Sequence, residues 1–130
     1  MSTHSPYIRD GKFLVSKTPV DSDLKDAVRT AVDLIGGFDK VIVQDDTVTI
    51  KPNLNTADPY PASSDPEFIK ALGELLLDAG AGKLKIIESS TMRLSARKVS
   101  QEVGLTAIAE ELDAELIFLD EHEWVKVDFP

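Results

Sequence analysis

At 130 residues the chain fits one domain with one core, since chains of about 100–150 residues bury roughly two thirds of their unfolded surface. Apolar residues make up 42% and charged residues 28%, far from the composition of disordered chains, and the count of zero cysteines excludes disulfides, cysteine nucleophiles and a cysteine-ligated iron–sulfur cluster within this chain. A formal charge of −9, from 14 basic and 23 acidic side chains, repels phosphate backbones and anionic lipid, so neither nucleic acid nor a membrane is an expected partner.

Residues 1–11 are polar, contain Pro6 and Gly11, and read as a flexible arm ahead of a single α/β domain over 12–130. The arm has no basic stretch followed by an apolar one, and nowhere do about 18 apolar residues run together, so the cytoplasm is the expected compartment. Phe13-Leu14-Val15 is expected as a first strand, closed by Pro19. From Asp21 or Ser22 onward, Leu24, Ala27, Val28, Ala31, Val32 and Ile35 recur at helical spacing, and Gly36-Gly37 end that helix.

After the turn signal Asp45-Asp46, the β-branched run Thr47-Val48-Thr49-Ile50 predicts a second strand that Pro52 stops, because proline cannot donate to a sheet ladder. Residues 53–64, with Pro59 and Pro61, form a long loop, and loops of about twelve residues in compact domains are commonly functional. Ser64-Asp65-Pro66-Glu67 opens the next helix with an N-cap, a proline at the first helical position and a Ser-x-x-Glu capping box, and Phe68, Ile69, Leu72, Leu75, Leu76 and Ala79 supply its buried face.

A third strand is expected at Leu84-Lys85-Ile86-Ile87. Ser95 then caps a short helix to Val103, Gly104 interrupts it, and Leu105, Ile108, Ala109 and Leu112 continue with helical spacing. A fourth strand follows at Leu116-Ile117-Phe118-Leu119, and Trp124 to Phe129 alternates like a half-exposed edge strand. Strands alternating with helices predict an α/β fold: a mostly parallel sheet of four to five strands with helices on both faces, a Rossmann-like three-layer sandwich.

In such a sheet ligands bind where strand carboxyl ends meet helix amino ends. Three polar segments arrive there: Lys51-Pro52-Asn53 after the second strand, Glu88-Ser89-Ser90-Thr91 after the third and Asp120-Glu121-His122-Glu123 after the fourth. Lys51 brings a positive charge and Asn53 a donor and an acceptor, with Pro52 stiffening the backbone between them, a set suited to a carboxylate or phosphate ester. Ser64 and Asp65, at the amino end of a helix, belong to the same candidate site, as do Ser89 and Ser90.

Glu88, at the end of an apolar strand, is the candidate proton-transfer residue or, alternatively, the ion-pair partner of Lys51. Ser89-Ser90-Thr91 lacks the glycine pattern of a phosphate loop, and neighbouring acids such as Asp120 to Glu123 point in different directions, so no metal site and no cofactor are expected. His4 and His122 have no nucleophile elbow near them.

Val48-Thr49-Ile50-Lys51-Pro52-Asn53-Leu54, then Ser63-Ser64-Asp65-Pro66-Glu67, Asp78-Ala79-Gly80-Ala81 and Glu88-Ser89 resemble, in order and spacing, the first part of the domain of unknown function 362 family. The resemblance spans roughly residues 12–128. It implies an α/β fold and interest in Lys51, Asn53, Ser64 and Asp65. Larger members of that family continue with a Lys-x-His segment, and many carry ferredoxin-like cysteines; this chain has neither, so the resemblance assigns no cluster to it. It implies that 12–130 is the amino-terminal half of a larger family domain or a short stand-alone form.

Two functions compete. One is the binding of an anionic small molecule at the sheet edge by Lys51 and Asn53. The other is a non-enzymatic subunit that joins a partner protein, or a second copy, through the edge at 124–129.

Overall fold

A computed structural model of the chain describes residues 7–21, 23–89 and 94–128. The first elements are β1 (Ile8–Arg9) and β2 (Lys12–Phe13), paired antiparallel with Ile8 opposite Phe13. Asp10 and Gly11 both adopt positive φ, 53° and 72°, the geometry of a tight two-residue hairpin turn. The strand expected at 13–15 is therefore corrected: Phe13 ends a separate ribbon, and Leu14 and Val15 join no sheet. Locally paired residues also replace part of the loose arm expected over 1–11, although residues 1–6 lie outside the described chain.

Helix α1 (Leu24–Leu34) starts at Asp23, whose carboxylate accepts the Asp26 N–H at 2.9 Å. Ser22, one of the expected starts, lies outside the described residues. A short 3-10 turn at Phe38–Lys40 leads to β3 (Thr47–Ile50), which has the expected bounds. Helix α2 (Pro66–Asp78) and β4 (Lys83–Glu88) follow, then α3 (Ala96–Glu102) and α4 (Leu105–Glu111), then β5 (Glu115–Phe118). Gly104, at φ 84°, makes the break between α3 and α4 through a left-handed conformation that residues with a Cβ adopt at a cost.

Among the described residues the main sheet has three parallel strands in the order β3-β4-β5, with Ile50 beside Ile86 and Glu88 beside Phe118. Its core face carries Ile50, Leu84, Ile86 and Phe118, all buried. Helices α2 and α4 pack on each other, α2 also on β4 and α4 also on β5, while α1 lies against α2. Each fully buried Leu or Ile side chain contributes about 1.5–3 kcal/mol, so Leu84, Ile86 and Leu105 anchor the fold. Replacing Ile86, at the centre of the middle strand, by alanine would cost about 2–5 kcal/mol.

The four-to-five-stranded, doubly covered sandwich is also corrected. On the opposite face Thr47, Thr49, Lys83 and Glu115 are exposed, and Lys83 and Lys85 pair with Glu115 at 2.6 and 3.7 Å. Strand alternation puts these charged and hydroxyl residues on one side, and that side stays solvated. The expected edge strand at the tail does not form over residues 124–128, and Phe129 lies outside the described residues. The 3-10 turn Leu119–Glu121 turns the chain away from β5. Arg97 holds it there through two bonds to Glu121, at 2.8 and 2.6 Å, while its guanidinium sits 4.5 Å from the Phe118 ring centre.

Candidate functional site

Strand β3 ends at Ile50, and the backbone that follows is tied down at once by β4. The Lys51 ammonium donates to Glu88 Oε1 and to the Pro52 carbonyl, each at 2.6 Å. Glu88 is the last residue of β4 and lies on its core face, so its carboxylate sits inside the rim of the sheet. There it also accepts the Leu54 N–H through Oε2 at 3.0 Å and its neighbour Ser89's N–H through Oε1 at 2.8 Å. Three donors thus satisfy a buried charge, and the segment 51–54 is bent inward until Leu54 enters the core.

Asn53 and Ser64 close the loop between them. The Asn53 N–H donates to Ser64 Oγ at 2.9 Å, and the Ser64 N–H donates to the Asn53 carbonyl at 2.9 Å. The Asn53 side-chain oxygen accepts from Asn55 Nδ2 at 3.0 Å. Deeper in the loop, Ser63 Oγ donates to the Thr56 carbonyl at 2.9 Å, and Thr56 Oγ1 donates to Asp58 at 2.6 Å.

The helix after the loop starts at Pro66, the expected first helical position, which is one residue later than the Ser-x-x-Glu spacing alone indicates. Asp65, not Ser64, is the N-cap and accepts the Glu67 N–H at 3.0 Å, with Pro66 in the first turn. Proline fits there because the first helical N–H has no partner within the helix. Ser64 is thereby released to hold Asn53.

Beside this closure lies a cleft of about 800 Å³ between α1 and the amino-terminal half of α2. Leu24, Val28 and Val32 of α1 and Phe68 and Leu72 of α2 form its walls. Asn53, Ser63, Ser64 and Asp65 line its polar end, and Tyr60 and Pro61, joined by a cis peptide bond, complete the rim. Of the residues singled out from the sequence, Asn53, Ser64 and Asp65 share this cleft. Lys51 and Glu88 pair with each other next to it without lining it, and Ser89 binds Glu88 through its backbone. Ser90 lies outside the described residues.

The α1 wall, Tyr60 and Ser63 were missed by motif reading. The available signal was the apolar stripe of α1, of which Leu24, Ala27, Val28, Ala31 and Val32 line the cleft and Val28 alone is buried. In the acidic turn after β5, the Arg97 hydrogen bonds hold Glu121 below the usual carboxylate range, and Glu121 in turn raises Arg97. Among the described residues no group of three or more His, Cys, Asp or Glu is placed to hold a metal ion, and no helix is long and apolar enough to cross a membrane.

Architecture and site together define a parallel α/β domain whose strand-end loops gather on one rim of the sheet. The chain belongs to the family described as a domain of unknown function, DUF362, whose model matches residues 48–130. The match begins in β3 and takes in Lys51, Asn53, Ser64, Asp65 and Glu88, while the hairpin and α1 precede it. No curated protein and no solved structure matches the chain.

Proposed function

We propose that the domain binds a small molecule with an apolar body and a carboxylate or phosphate head at the carboxyl edge of its sheet. The observation that carries this reading is the cleft: its volume of about 800 Å³ falls within the range of about 300–1,000 Å³ common to small-molecule sites. Apolar walls converging on a few polar groups are the usual composition of such sites.

The α1 and α2 side chains take the body of the ligand, and the Asn53 side chain and Ser64 hydroxyl meet its head. Lys51, half exposed two residues before Asn53, supplies the charge: Glu88 and the Pro52 carbonyl account for two of its three N–H groups, leaving a third to reach outward. The Asp65 carboxylate opposes an anion, but it is bonded to the Glu67 N–H at the positive end of α2, which offsets its charge. Glu88, with both oxygens engaged, serves here to position Lys51 and residues 51–54 rather than to move a proton.

Thermal melting with a panel of alkyl and aryl carboxylates and phosphate esters tests the reading. A ligand at a hundred times its Kd stabilises by about 2.7 kcal/mol, a shift of several degrees in a domain of this size. Lys51→Ala is expected to remove the advantage of the anionic ligands over their uncharged analogues, and Val28→Trp, which fills the cleft, to remove the whole response. No shift with any member of the panel would sink the proposal.

A second reading, that of a non-enzymatic interaction module, draws on one observation: Trp124, Val125 and Val127 are exposed on a tail that joins no sheet.

A further inference from the structure

Two segments at opposite ends of the described chain carry exposed apolar side chains and lie outside the main sheet. In the first, Phe13 and Val15 are 77% and 88% exposed; Phe13 ends the β1-β2 ribbon, Val15 follows it, and the ribbon forms no part of the main sheet. A lone two-stranded ribbon is at best marginally stable in water, and a third strand is what stabilises it. In the second, Trp124 and Val125 are 79% and 81% exposed, and the backbone of residues 123–128 forms no ladder.

Their charges are opposite on a chain that is acidic overall. Residues 7–20 hold the bases Arg9, Lys12 and Lys17 against one acid, Asp10, whereas residues 119–128 hold Asp120, Glu121, Glu123 and Asp128 against one base, Lys126. Spacing matches as well as sign. Lys12 and Lys17 flank Phe13 and Val15, and Glu123 and Asp128 flank Trp124, Val125 and Val127, with four residues between the flanking charges in each case. In extended chain that separation is about 17 Å, so both charges of one segment meet both charges of the other when the strands lie side by side. Exposure of both segments shows that they do not cover each other within one chain.

We infer that segment 12–17 of one copy pairs as a strand with the tail 123–128 of a second copy, and that the exchange is reciprocal, closing a two-fold dimer. Backbone groups unpaired in the ribbon and in the tail then complete a ladder, the apolar side chains cover one another, and the charges set the partner and the register. A positive strand against a negative one also disfavours pairing of ribbon with ribbon or tail with tail. The inference rests on the second reading above and is independent of the cleft.

Sedimentation of the full chain from about 1 to about 100 μM is the test, a range that brackets micromolar association. The wild-type chain is expected to pass from monomer to dimer across it, and to dissociate at about 0.5 M salt, where screening acts within about 4 Å. Lys12→Glu with Lys17→Glu, and separately Glu123→Lys with Asp128→Lys, are each expected to weaken association at least about tenfold, the effect of about 1.4 kcal/mol. An equimolar mixture of these two variants, in which every ribbon again meets a tail of opposite charge, is expected to recover the dimer. Circular dichroism identifies any variant that has failed to fold; none of the four positions is in the core. A chain that stays monomeric throughout overturns both the inference and self-association as a function. A dimer indifferent to both charge reversals, or not recovered in the mixture, overturns the pairing alone.

Discussion

Lys51 Nζ lies 2.6 Å from Glu88 Oε1, with the lysine side chain 52% exposed and the glutamate 3% exposed. The pair is thus lopsided: one charge sits largely in water, and the other is buried against the carboxyl end of the sheet. Removing a charge from water costs several kcal/mol unless local donors replace its hydration. Here the N–H groups of Leu54 and Ser89 provide that replacement together with the ammonium. The carboxylate therefore serves as the fixed point on which the chain after β3 folds back over the core.

This arrangement predicts unequal costs for the two partners. Glu88→Gln keeps the size but turns one acceptor into an amide that faces a donor, so it should destabilise by about 2–4 kcal/mol. Lys51→Met leaves both backbone N–H groups on Glu88 and exposes no buried donor, so a loss of about 1–2 kcal/mol is expected. Urea unfolding of the two variants measures the difference. Equal losses would mean that the contact between the side chains, and not the buried carboxylate's full set of donors, holds the rim together.

At the start of α2 the two neighbouring polar residues do different work. Asp65→Ala removes the N-cap and is expected to cost about 1 kcal/mol through the helix. Ser64→Ala instead orphans the Asn53 N–H and should cost about 1 kcal/mol through the loop. Amide hydrogen exchange separates the two. Asp65→Ala should speed exchange in the first turn of α2, whereas Ser64→Ala should speed it at Asn53.

That division also marks how far the sequence could be read. The Lys-Pro-Asn stretch and the acidic residue ending β4 were legible because β-branched and apolar runs bound them on the chain, and both fall at strand ends in the structure. Ser64 against Asp65 was not, because a hydroxyl and a carboxylate one residue apart can both cap a helix, and the choice is made by Asn53, eleven residues upstream. Phe13-Leu14-Val15 read as a sheet strand because apolar content does not reveal a partner; the Asp10-Gly11 turn supplied one locally. The solvated face of the sheet was visible in the alternation of Lys83, Lys85 and Glu115, but strand order determines whether a helix covers such a face.

Between α2 and β4, Gly82 sits against the turn before β3. A Cβ at this position would lie 2.8 Å from the Asp45 Cα and 3.0 Å from its carbonyl oxygen, and backbone cannot swing aside as a side chain can. The Gly82 N–H also donates to the Asp46 carbonyl at 2.9 Å, fixing the approach. Gly82→Ala is expected to cost about 1–3 kcal/mol, the usual range for overpacking, even though alanine lowers the entropy of the unfolded chain. Thermal unfolding checks it, and a neutral or stabilising result would show that the turn at residues 45–46 yields.

The acid side of the stability profile follows from two exposed carboxylates. Lys83 holds Glu115 below its ordinary value of 4.5, chiefly by hydrogen bonding, and Arg97 does the same to Glu121. A group whose folded pKa is depressed binds fewer protons in the folded state, so its contribution is fully present above the ordinary value and is lost as pH falls through the depressed one. Both contributions should therefore disappear below pH 4.5. Lys25, raised by Glu74 and Asp78, and Lys70, raised by Glu111, act in the opposite direction: their contributions hold below the ordinary 10.5 and disappear above it. Melting temperatures measured down to about pH 3 should fall less steeply in Lys83→Met and Arg97→Met than in the wild type, because those variants have less to lose. Both variants should start from a lower melting temperature at neutral pH, where the ion-pair contributions are fully present, and Arg97→Met should start lower than Lys83→Met because Arg97 also covers Phe118. Parallel slopes below pH 4.5 in all three proteins would assign the acid limb to other carboxylates.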